Sequence, residues 1–317
     1  MKAIGLMKHG GPEVLEMLEL PERHAGTGEI KVRVHAAAVN PSDTLTRSGT
    51  LEEAVGAPVP EHRDPGPYVP GLDAAGVVAE LGDGTATELR VGDAVMAVVI
   101  PHRSRGAYSE YVVVPAESVT RAPKGIDHTA AATLPMNALT ATGALEALAL
   151  APGRTVAVTG AAGMLGGAVV QLAKAAGLVV VADASEADEE LVRSFGADVV
   201  VRRGDDVADR ICDVRPDGVD GLVDAALLND AVAPAVRDNG RIVTVRGHVG
   251  SDERGITWCP VVFVDYISAA RLDAIRRHVE AGRLTPRVAE VFPAEQAADA
   301  HRLLEAGGVR GRPVLAF

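Results

Sequence analysis

Two hydrophobic patterns divide the chain, and each predicts a different kind of structure. Residues 1 to about 120 hold short β-prone runs, among them KVRVHAAAVN, AAGVVAEL and AYSEYVVVP, separated by Gly, Pro and Asp. From about Asp127 the pattern becomes helical, and Pro135 is expected to break or end a helix. Strands and helices then alternate, with strands predicted at 155–159, 178–182, 198–201, 219–223, 241–245 and 261–264.

The alternation ends near residue 265. A helix follows that places Leu272, Ile275 and Val279 on one face, and a short strand, a helix and a last strand complete the chain. Consecutive strand and helix units predict a parallel sheet covered on both faces, whereas the runs before residue 120 predict a separate β-rich part. The fold class is therefore predicted to be α/β, with a doubly wound parallel sheet.

Residues 154–184 combine a strand, a glycine turn, a helix and a second strand. Gly160, Gly163 and Gly166 let the chain turn tightly, bring backbone N–H groups against a diphosphate, and pack the helix closely on the sheet. The helix has apolar residues at helical spacing, and Gly177 is expected to end it. Because a strand precedes the glycines and a helix follows them, the segment predicts a dinucleotide site; a turn that binds nothing is the alternative.

Composition and charge narrow the classes of function. The chain has 317 residues, 47% of them hydrophobic, which predicts two domains with well-developed cores. Its formal net charge of -12 disfavours nucleic acid and membranes as partners and favours a small-molecule substrate. No stretch has the length and hydrophobicity of a signal peptide or a membrane span, so the cytoplasm is the expected location. Cys212 and Cys259 have no Cys or His neighbours at metal-ligand spacing, and no metal site is predicted.

Several sequence blocks, taken in their order along the chain, resemble the medium-chain dehydrogenase/reductase superfamily, and within it the zinc-less quinone oxidoreductase-like branch. The blocks are AAAVNPSDTLTRSG, VPGLDAAGVVAELGDG, RVGDAVMAVV, GAYSEYVVVP, LPMNALTAT, TGAAGMLG and EQAADAHRLLEAGGVRGRPVL. They cover nearly the whole chain. The resemblance implies a GroES-like β domain formed by residues 1–125 and 266–317, a Rossmann NAD(P)-binding domain at 126–265, and an active site in the cleft between them.

The resemblance also bears on zinc and on the reaction. Zinc-dependent relatives have Cys where Asn40 stands and Gly-His-Glu where Gly71, Leu72 and Asp73 stand, and they carry a four-cysteine lobe that this sequence lacks. The implied enzyme is zinc-free and moves hydride from a nicotinamide cofactor to a quinone or an α,β-unsaturated carbonyl. An enoyl-thioester reductase and a nucleotide-binding protein without turnover are the alternatives.

The family motif N-P-S-D supplies the catalytic candidates Asn40 and Asp43. Asn40 either contacts the substrate or the nicotinamide ribose or stabilises the turn after the preceding strand, and for Asp43 the structural role is favoured. Many relatives have Tyr where Leu45 stands, so the proton donor is unassigned. The long, proline-rich segment 47–70 either shapes the substrate pocket, with His62 and Arg63 as polar candidates, or is a surface insertion.

The predicted cofactor-binding residues follow the family motifs and lie mostly at the carboxyl ends of strands, where this fold binds ligands. Thr140 matches the residue beside the nicotinamide, unless its hydroxyl only bonds back to the helix backbone. Arg246 is an unusual charge at an apolar strand end and contacts a phosphate or pairs with a nearby acid. The full set is Asn40, Thr140, Gly160, Ala161, Ala162, Gly163, Met164, Leu165, Gly166, Ser185, Arg203, Ala225, Val245, Arg246 and Gly247.

NADPH is predicted as the cofactor, with NADH as the alternative. NAD-selective sites end their second strand with an acid that binds the adenosine ribose, and Asp183 lies one residue short of that position when counted from the preceding helix. Because strand side chains alternate, Asp183 is expected to face away from the ribose. Ser185 and Arg203 match positions that reach the 2'-phosphate; a helix cap by Ser185 with Asp188 and a solvated Arg203 are the rival interpretations.

The predicted strand at 261–264 is apolar on both faces and is the last of its sheet. An uncovered edge of this kind invites pairing with a second copy, and relatives pair through this edge. The sequence therefore predicts a homodimer.

Overall fold

The computed structural model describes residues 1–58 and 66–317. The strands are β1 (Lys2–Gly5), β2 (Glu16–Glu19), β3 (Glu29–Ala38), β4 (Asp73–Leu81), β5 (Ala94–Val98), β6 (Tyr111–Pro115), β7 (Val119–Arg121), β8 (Thr155–Thr159), β9 (Val179–Ala184), β10 (Val199–Arg202), β11 (Val219–Asp224), β12 (Val236–Thr244), β13 (Thr257–Pro260), β14 (Val288–Pro293) and β15 (Arg312–Ala316). The helices are α1 (Pro41–Ser48), α2 (Leu51–Ala54), α3 (His128–Ala131), α4 (Pro135–Leu148), α5 (Met164–Ala175), α6 (Glu189–Ser194), α7 (Val207–Val214), α8 (Ala269–Glu280) and α9 (Ala297–Ala306). No helix in the described ranges has the length and hydrophobicity needed to span a lipid bilayer.

The described chain forms two compact units. Unit 1 comprises Met1–Met136, Ile267–Gly282 and Pro286–Phe317, and unit 2 comprises Asn137–Tyr266 and Arg283–Thr285. The chain thus leaves the first unit, builds the second, and returns to the first. The domain limits expected from the sequence, after residues 125 and 265, stay predictions.

Unit 2 is built on a parallel sheet with the strand order β10-β9-β8-β11-β12-β13. The strand order reverses between β8 and β11, and in such sheets ligands bind outside the carboxyl ends of the strands at that point. The central strands are apolar on both faces, as parallel strands covered by helices require. Val156, Val158, Leu222 and Val243 are each at most 1% exposed. This architecture confirms the predicted α/β class.

The last strand of this sheet is β13, so the strand predicted at 261–264 is wrong. β13 pairs in parallel with β12, and Phe263–Tyr266 forms a 3-10 turn. The apolar run VVFV favoured a strand buried on both faces. An edge strand has a neighbour on one side only, however, and it tolerates the more polar, proline-ended run Thr-Trp-Cys-Pro.

Unit 1 holds a mostly antiparallel sheet with the order β14-β15-β3-β4-β5-β7, and β6 also pairs with β3. The C-terminal strand β15 pairs with β3, so the end of the chain completes a sheet that its first part began. Pro135 begins α4 after α3 has ended, as predicted, because proline is tolerated in the first turn of a helix. α8 buries Leu272, Ile275 and Val279, also as predicted.

Candidate cofactor-binding and catalytic site

The predicted glycine turn joins β8 to α5. Gly160 has a φ of +65°, a left-handed conformation that favours glycine, and its carbonyl accepts the Gly163 N–H at 2.9 Å. A Cβ on Gly166 would lie 2.3 Å from the Gly160 carbonyl oxygen, so α5 packs against the turn as closely as glycine allows. A Cβ on Gly163 would meet only that oxygen, at 3.1 Å, among the described atoms. The turn thus has the shape of a cradle that side chains would fill.

The amino end of α5 opens onto this turn. The first helical hydrogen bond runs from the Gly167 N–H to the Gly163 carbonyl at 2.9 Å. The N–H groups of Met164, Leu165 and Gly166 precede that bond in the helix and have no intrahelical acceptor. Backbone N–H groups and the helix dipole at such an end favour a phosphate. The predicted residues 160–166 therefore fit a dinucleotide diphosphate.

Asp183, near the end of β9, faces the glycine turn, and its expected orientation away from the ribose stays a prediction. It is 7% exposed, and its Oδ1 accepts the Ala161 N–H at 3.0 Å. The direction of a strand side chain is set by the pairing of β9 with β8, which the count from the preceding helix did not include. Burial raises the pKa of Asp183, whereas the N–H groups of the turn and the nearby Arg203 oppose the rise.

The two residues assigned to a 2'-phosphate have different surroundings. The Ser185 hydroxyl donates to the Asp188 carboxylate, but the Ser185 side chain makes no cap bond to the backbone of the following helical turn, so the side-chain cap of the rival interpretation is not seen. The Arg203 N–H donates to the Ala184 carbonyl at 2.9 Å, so Arg203 lies beside the end of β9. Its guanidinium forms no ion pair with any residue of the described ranges. Arg203 is the better placed of the two to meet an anion.

Ala225 follows β11 and borders the glycine turn. Its carbonyl carbon lies 3.0 Å from the place that a Cβ on Gly160 would take. Asp224, 1% exposed, accepts the Thr159 hydroxyl and the Asn229 N–H, each at 2.7 Å. These bonds join the carboxyl ends of β8 and β11, the two strands at which the sheet order reverses.

The remaining predicted cofactor residues follow β12 or lie in α4. Val245 and Arg246 are half-buried, and Gly247 has a φ of +75°. Arg246 forms no ion pair within 1–58 and 66–317, so the predicted alternative of pairing with a nearby acid is not seen there. Thr140 is 6% exposed inside α4. His62 and Arg63 lie outside the described residues.

In unit 1 the N-P-S-D motif forms the amino end of α1. Asn40 and Asp43 make a capping box, in which Asp43 Oδ2 accepts the Asn40 N–H at 2.8 Å. Asp43 Oδ1 accepts the Gly71 N–H at 2.9 Å, so this carboxylate also joins α1 to the segment before β4. Both side chains are fully buried. The geometry agrees with the structural role favoured for Asp43.

A second buried carboxyl group, that of Asp73, orients Asn40. The Asn40 Nδ2 donates to Asp73 Oδ2 at 2.7 Å, and Asp73 Oδ1 accepts the Met136 N–H at 2.7 Å. Burial raises the pKa of Asp43 and of Asp73 to about 7 each. Sequence reasoning considered Asp73 only as a position where a zinc ligand is missing. The sequence signal that could have indicated Asp73 was its position in the family block VPGLDAAGVVAELGDG, which follows the block that contains Asn40.

A buried tyrosine–histidine pair extends this network. The Tyr108 hydroxyl lies 3.1 Å from His301 Nε2, and both residues are fully buried. Burial and the charge of Arg47 lower the pKa of His301 to about 3, so the ring is neutral. Arg47 itself pairs with Glu305 at 2.7 Å. No motif links residues 193 positions apart, and sequence reasoning missed the pair.

Within residues 1–58 and 66–317, no group of three or more His, Cys, Asp and Glu side chains is arranged to hold a metal ion. Cys212 and Cys259 are half-buried free thiols. At the positions where zinc-dependent relatives have ligands, Leu72 is aliphatic and the Asn40 amide is bound to Asp73. The donor chemistry at these positions is therefore that of a hydrogen-bonded cluster.

Comparison with known proteins defines the class. Residues 26–124 match the alcohol dehydrogenase GroES-like domain, and residues 195–315 match the family described as zinc-binding dehydrogenase. The NADPH-dependent alkenal/one oxidoreductase of Arabidopsis thaliana chloroplasts is 31% identical over 99% of this chain and 79% of its own length. The human quinone oxidoreductase is 29% identical over 99% of this chain and 97% of its own length. A crystal structure of an NAD-dependent alcohol dehydrogenase, 31% identical, superposes with a TM-score of 0.86 over 100% of both chains.

The chain belongs to the medium-chain dehydrogenase/reductase superfamily and is quinone oxidoreductase-like. The predicted combination of a Rossmann-like parallel sheet with a GroES-like domain is confirmed. At this coarse level the protein is an oxidoreductase of the NAD(P)H-dependent type.

Proposed function

We propose that the protein is a zinc-independent, NADPH-dependent oxidoreductase that reduces a quinone or an α,β-unsaturated carbonyl compound. The observation that carries this proposal is the glycine turn at residues 160–166, whose cradle and helix amino end fit a diphosphate. The names of the relatives, alkenal/one oxidoreductase and quinone oxidoreductase, support the class of acceptor. The alternative is a nucleotide-binding protein without turnover, and an experiment must distinguish it from an active reductase.

Each end of the cofactor has residues that fit it. The N–H groups of Met164 and Leu165 hold the diphosphate, and Arg203 meets the 2'-phosphate of the adenosine. Ala225 and the residues after β12 border the nicotinamide, which supplies a hydride when it is bound. The acceptor takes that hydride at carbon, and hydrogen-bond donors stabilise the negative charge that develops on its oxygen. Asn40 and Thr140 stay the predicted polar contacts near the reacting atoms.

The side chains present where zinc-dependent relatives have ligands favour a reaction without zinc. A catalytic zinc ion needs thiolate, imidazole or carboxylate ligands around an open position. Leu72 offers no donor atom, and the Asn40 amide is occupied by Asp73. A quinone or an enone accepts hydride at carbon without a Lewis acid, whereas polarising the carbonyl of a simple aldehyde is a task that a catalytic metal ion can perform.

Turnover by the purified protein tests the proposal. Loss of the reduced-nicotinamide absorbance is followed with NADPH and, in turn, a quinone, an enone, an enoyl thioester and a saturated aldehyde. We expect oxidation of NADPH with the quinone or the enone, at a rate that a zinc chelator leaves unchanged. Activity confined to the saturated aldehyde and abolished by the chelator would contradict the proposal. NADPH binding without turnover of any acceptor would support the binding-only alternative.

A further inference from the structure

A histidine–carboxylate pair lies at the end of the parallel sheet that carries the glycine turn. His248 follows β12, Asp230 follows β11, and His248 Nε2 lies 3.2 Å from Asp230 Oδ1. The carboxyl ends of neighbouring parallel strands meet at one edge, so this pair belongs to the edge where a doubly wound sheet binds its ligand. A histidine oriented by a carboxylate is an arrangement used for acid–base catalysis.

The segment around His248 is held in one position. The buried Thr244 hydroxyl donates to the His248 carbonyl at 2.7 Å. Trp258 of β13 meets the imidazole edge to face, with ring centroids 5.4 Å apart, and its Nε1 donates to the Ser251 carbonyl at 2.8 Å. A Cβ on Gly250 would lie 2.3 Å from Asp230 Oδ1 and 2.4 Å from the Trp258 ring, so a larger residue there would displace one of these two side chains. Packing and hydrogen bonds of this kind hold a catalytic side chain in a fixed orientation.

One imidazole nitrogen of His248, Nδ1, is available to a ligand. The ring Nε2 bonds Asp230, and Nδ1 bonds no residue in the described part of the chain. The His248 side chain is 28% exposed, so solvent or a ligand reaches it. Asp230 from the turn after β11 is the charged group that contacts the ring, and Trp258 from β13 is the apolar one. Asp230 therefore orients the ring, and Nδ1 is the nitrogen that a ligand can reach.

The strand order indicates which half of the cofactor lies near this pair. A dinucleotide crosses the point between β8 and β11 where the order reverses, with one nucleotide on each half of the sheet. Arg203 beside the end of β9 assigns the adenosine to the β8-β9-β10 half. The nicotinamide and the reacting atoms then belong to the β11-β12-β13 half, where His248 and Asp230 lie.

We propose that His248 is the proton donor of the reaction, with Asp230 holding its Nε2–H. This inference rests on the proposed function. The acceptor carbon receives two electrons and a hydrogen as hydride from the reduced nicotinamide, and the adjacent carbonyl oxygen becomes negatively charged. The Nδ1–H of the imidazolium transfers its proton to that oxygen, which leaves a neutral imidazole and a neutral enol or hydroquinone. Water then returns the proton to Nδ1. His248 thereby takes the task that the missing tyrosine at position 45 leaves open.

Two variants test the assignment, with a saturating enone as acceptor. His248→Gln should lower kcat about a hundredfold, the size typical of lost general acid catalysis, while the Kd for NADPH measured by fluorescence stays within about twofold. Asp230→Asn keeps the shape of the side chain but removes the carboxylate that orients the ring, so it should also lower kcat while the Kd for NADPH stays within about twofold. In both variants the KM for the enone should change little, because the lost interaction acts in the transition state.

His24→Gln is the matched control, because His24 also pairs with a carboxylate, Glu80, at 3.0 Å but on an exposed part of unit 1. It should leave kcat and the Kd for NADPH unchanged. The inference is overturned if the native enzyme reduces the enone and His248→Gln does so at a similar rate, or if His248→Gln loses activity only because it binds NADPH more weakly. A native protein that reduces no acceptor overturns the proposed function as well, which distinguishes the two failures.

Discussion

Asn40 donates its side-chain amide to Asp73 at 2.7 Å, and neither residue has any exposed surface. Zinc-dependent members of this superfamily have a Cys and a Glu at these two positions. Here the same positions form a hydrogen bond that links the amino end of α1 to the first residue of β4. A cluster that holds a metal in some relatives thus holds the backbone in this chain.

We predict that the buried carboxyl groups make the protein less stable as the pH rises from about 4 to about 7. Burial raises the pKa of Asp43 and of Asp73 from 3.8 to about 7. The folded state therefore holds these protons more tightly than the unfolded chain, so this stabilisation is complete below pH 3.8 and is lost as the pH rises through 7.

Urea unfolding across this pH range checks the effect. The stability advantage of the native protein over Asp73→Asn, which cannot titrate at that position, should shrink with rising pH. Asp83→Asn, at an exposed turn residue, is the control and should keep the native slope. Parallel pH profiles for the native protein and Asp73→Asn would contradict the prediction.

His301 should have the opposite effect in acid. Burial, assisted by Arg47, lowers the pKa of His301 from 6.5 to about 3. Its contribution to stability is therefore present above pH 6.5 and is lost as the pH falls towards 3. We expect His301→Gln to be less stable than the native protein near neutral pH and to lose less stability between about pH 6 and pH 4, as measured by urea unfolding. An unchanged acid slope would show that another group causes the loss.

Local sequence spacing predicted the parts of the site that one segment builds. The glycine turn and α5 need only the residues from Gly160 to Gly177, and their order was sufficient. The Tyr108–His301 bond joins distant parts of the chain through tertiary packing, so no spacing rule contains it. Asp183 shows a third case, in which the residue was identified but its direction depended on strand pairing. The sequence predicted the edge strand at 261–264 instead of Thr257–Pro260, because a strand with one neighbour has a weaker hydrophobic pattern than a central strand.

Gly163 and Gly166 of the turn should respond differently to substitution. Gly163 has a φ of -71°, which any residue adopts, and a Cβ there meets one oxygen at 3.1 Å. Gly163→Val should therefore fold and fail to bind NADPH, because its side chain takes the space of the diphosphate. Gly166→Ala places a Cβ 2.3 Å from the Gly160 oxygen, so it should lower the thermal unfolding temperature. Calorimetry and NADPH titration of both variants separate the effects; unchanged NADPH affinity in Gly163→Val would show a purely structural turn.

The homodimer stays a prediction, now through the edge strand β13. Among the described strands β13 has a neighbour on one side only, and Val262 and Val264 just after it are 48% and 37% exposed. Pairing with a second copy would cover the open edge and these side chains. Light scattering at micromolar concentration should give a dimer mass for the native protein and a monomer mass for Val262→Glu. Val91→Glu, at a more exposed valine in unit 1, is the control and should remain dimeric. A monomeric native protein would make the prediction wrong.

We predict that NADPH binds more tightly than NADH, and that Arg203 and Asp183 influence this preference in opposite directions. Arg203 lies beside the end of β9 and forms no ion pair within the described residues, so its charge is available to a 2'-phosphate. Asp183 faces the glycine turn at 3.0 Å from the Ala161 nitrogen, and its carboxylate would repel the same phosphate. The Ser185 hydroxyl is bound to Asp188 and should contribute little.

Fluorescence titration of four variants with both cofactors separates these contributions. Arg203→Ala should weaken NADPH binding roughly tenfold to a hundredfold and leave NADH unchanged, since a charge-assisted hydrogen bond to phosphate contributes about 1 to 3 kcal/mol. Asp183→Asn keeps an oxygen for the Ala161 N–H and removes the charge, so it should strengthen NADPH binding relative to NADH. Arg202→Ala is the matched control, because the native Arg202 guanidinium lies 3.7 Å from the Glu186 carboxylate. Arg202→Ala and Ser185→Ala should each change the Kd values for NADPH and NADH little. Tighter binding of NADH by the native protein would mean that Asp183 bonds the ribose hydroxyls and determines the cofactor.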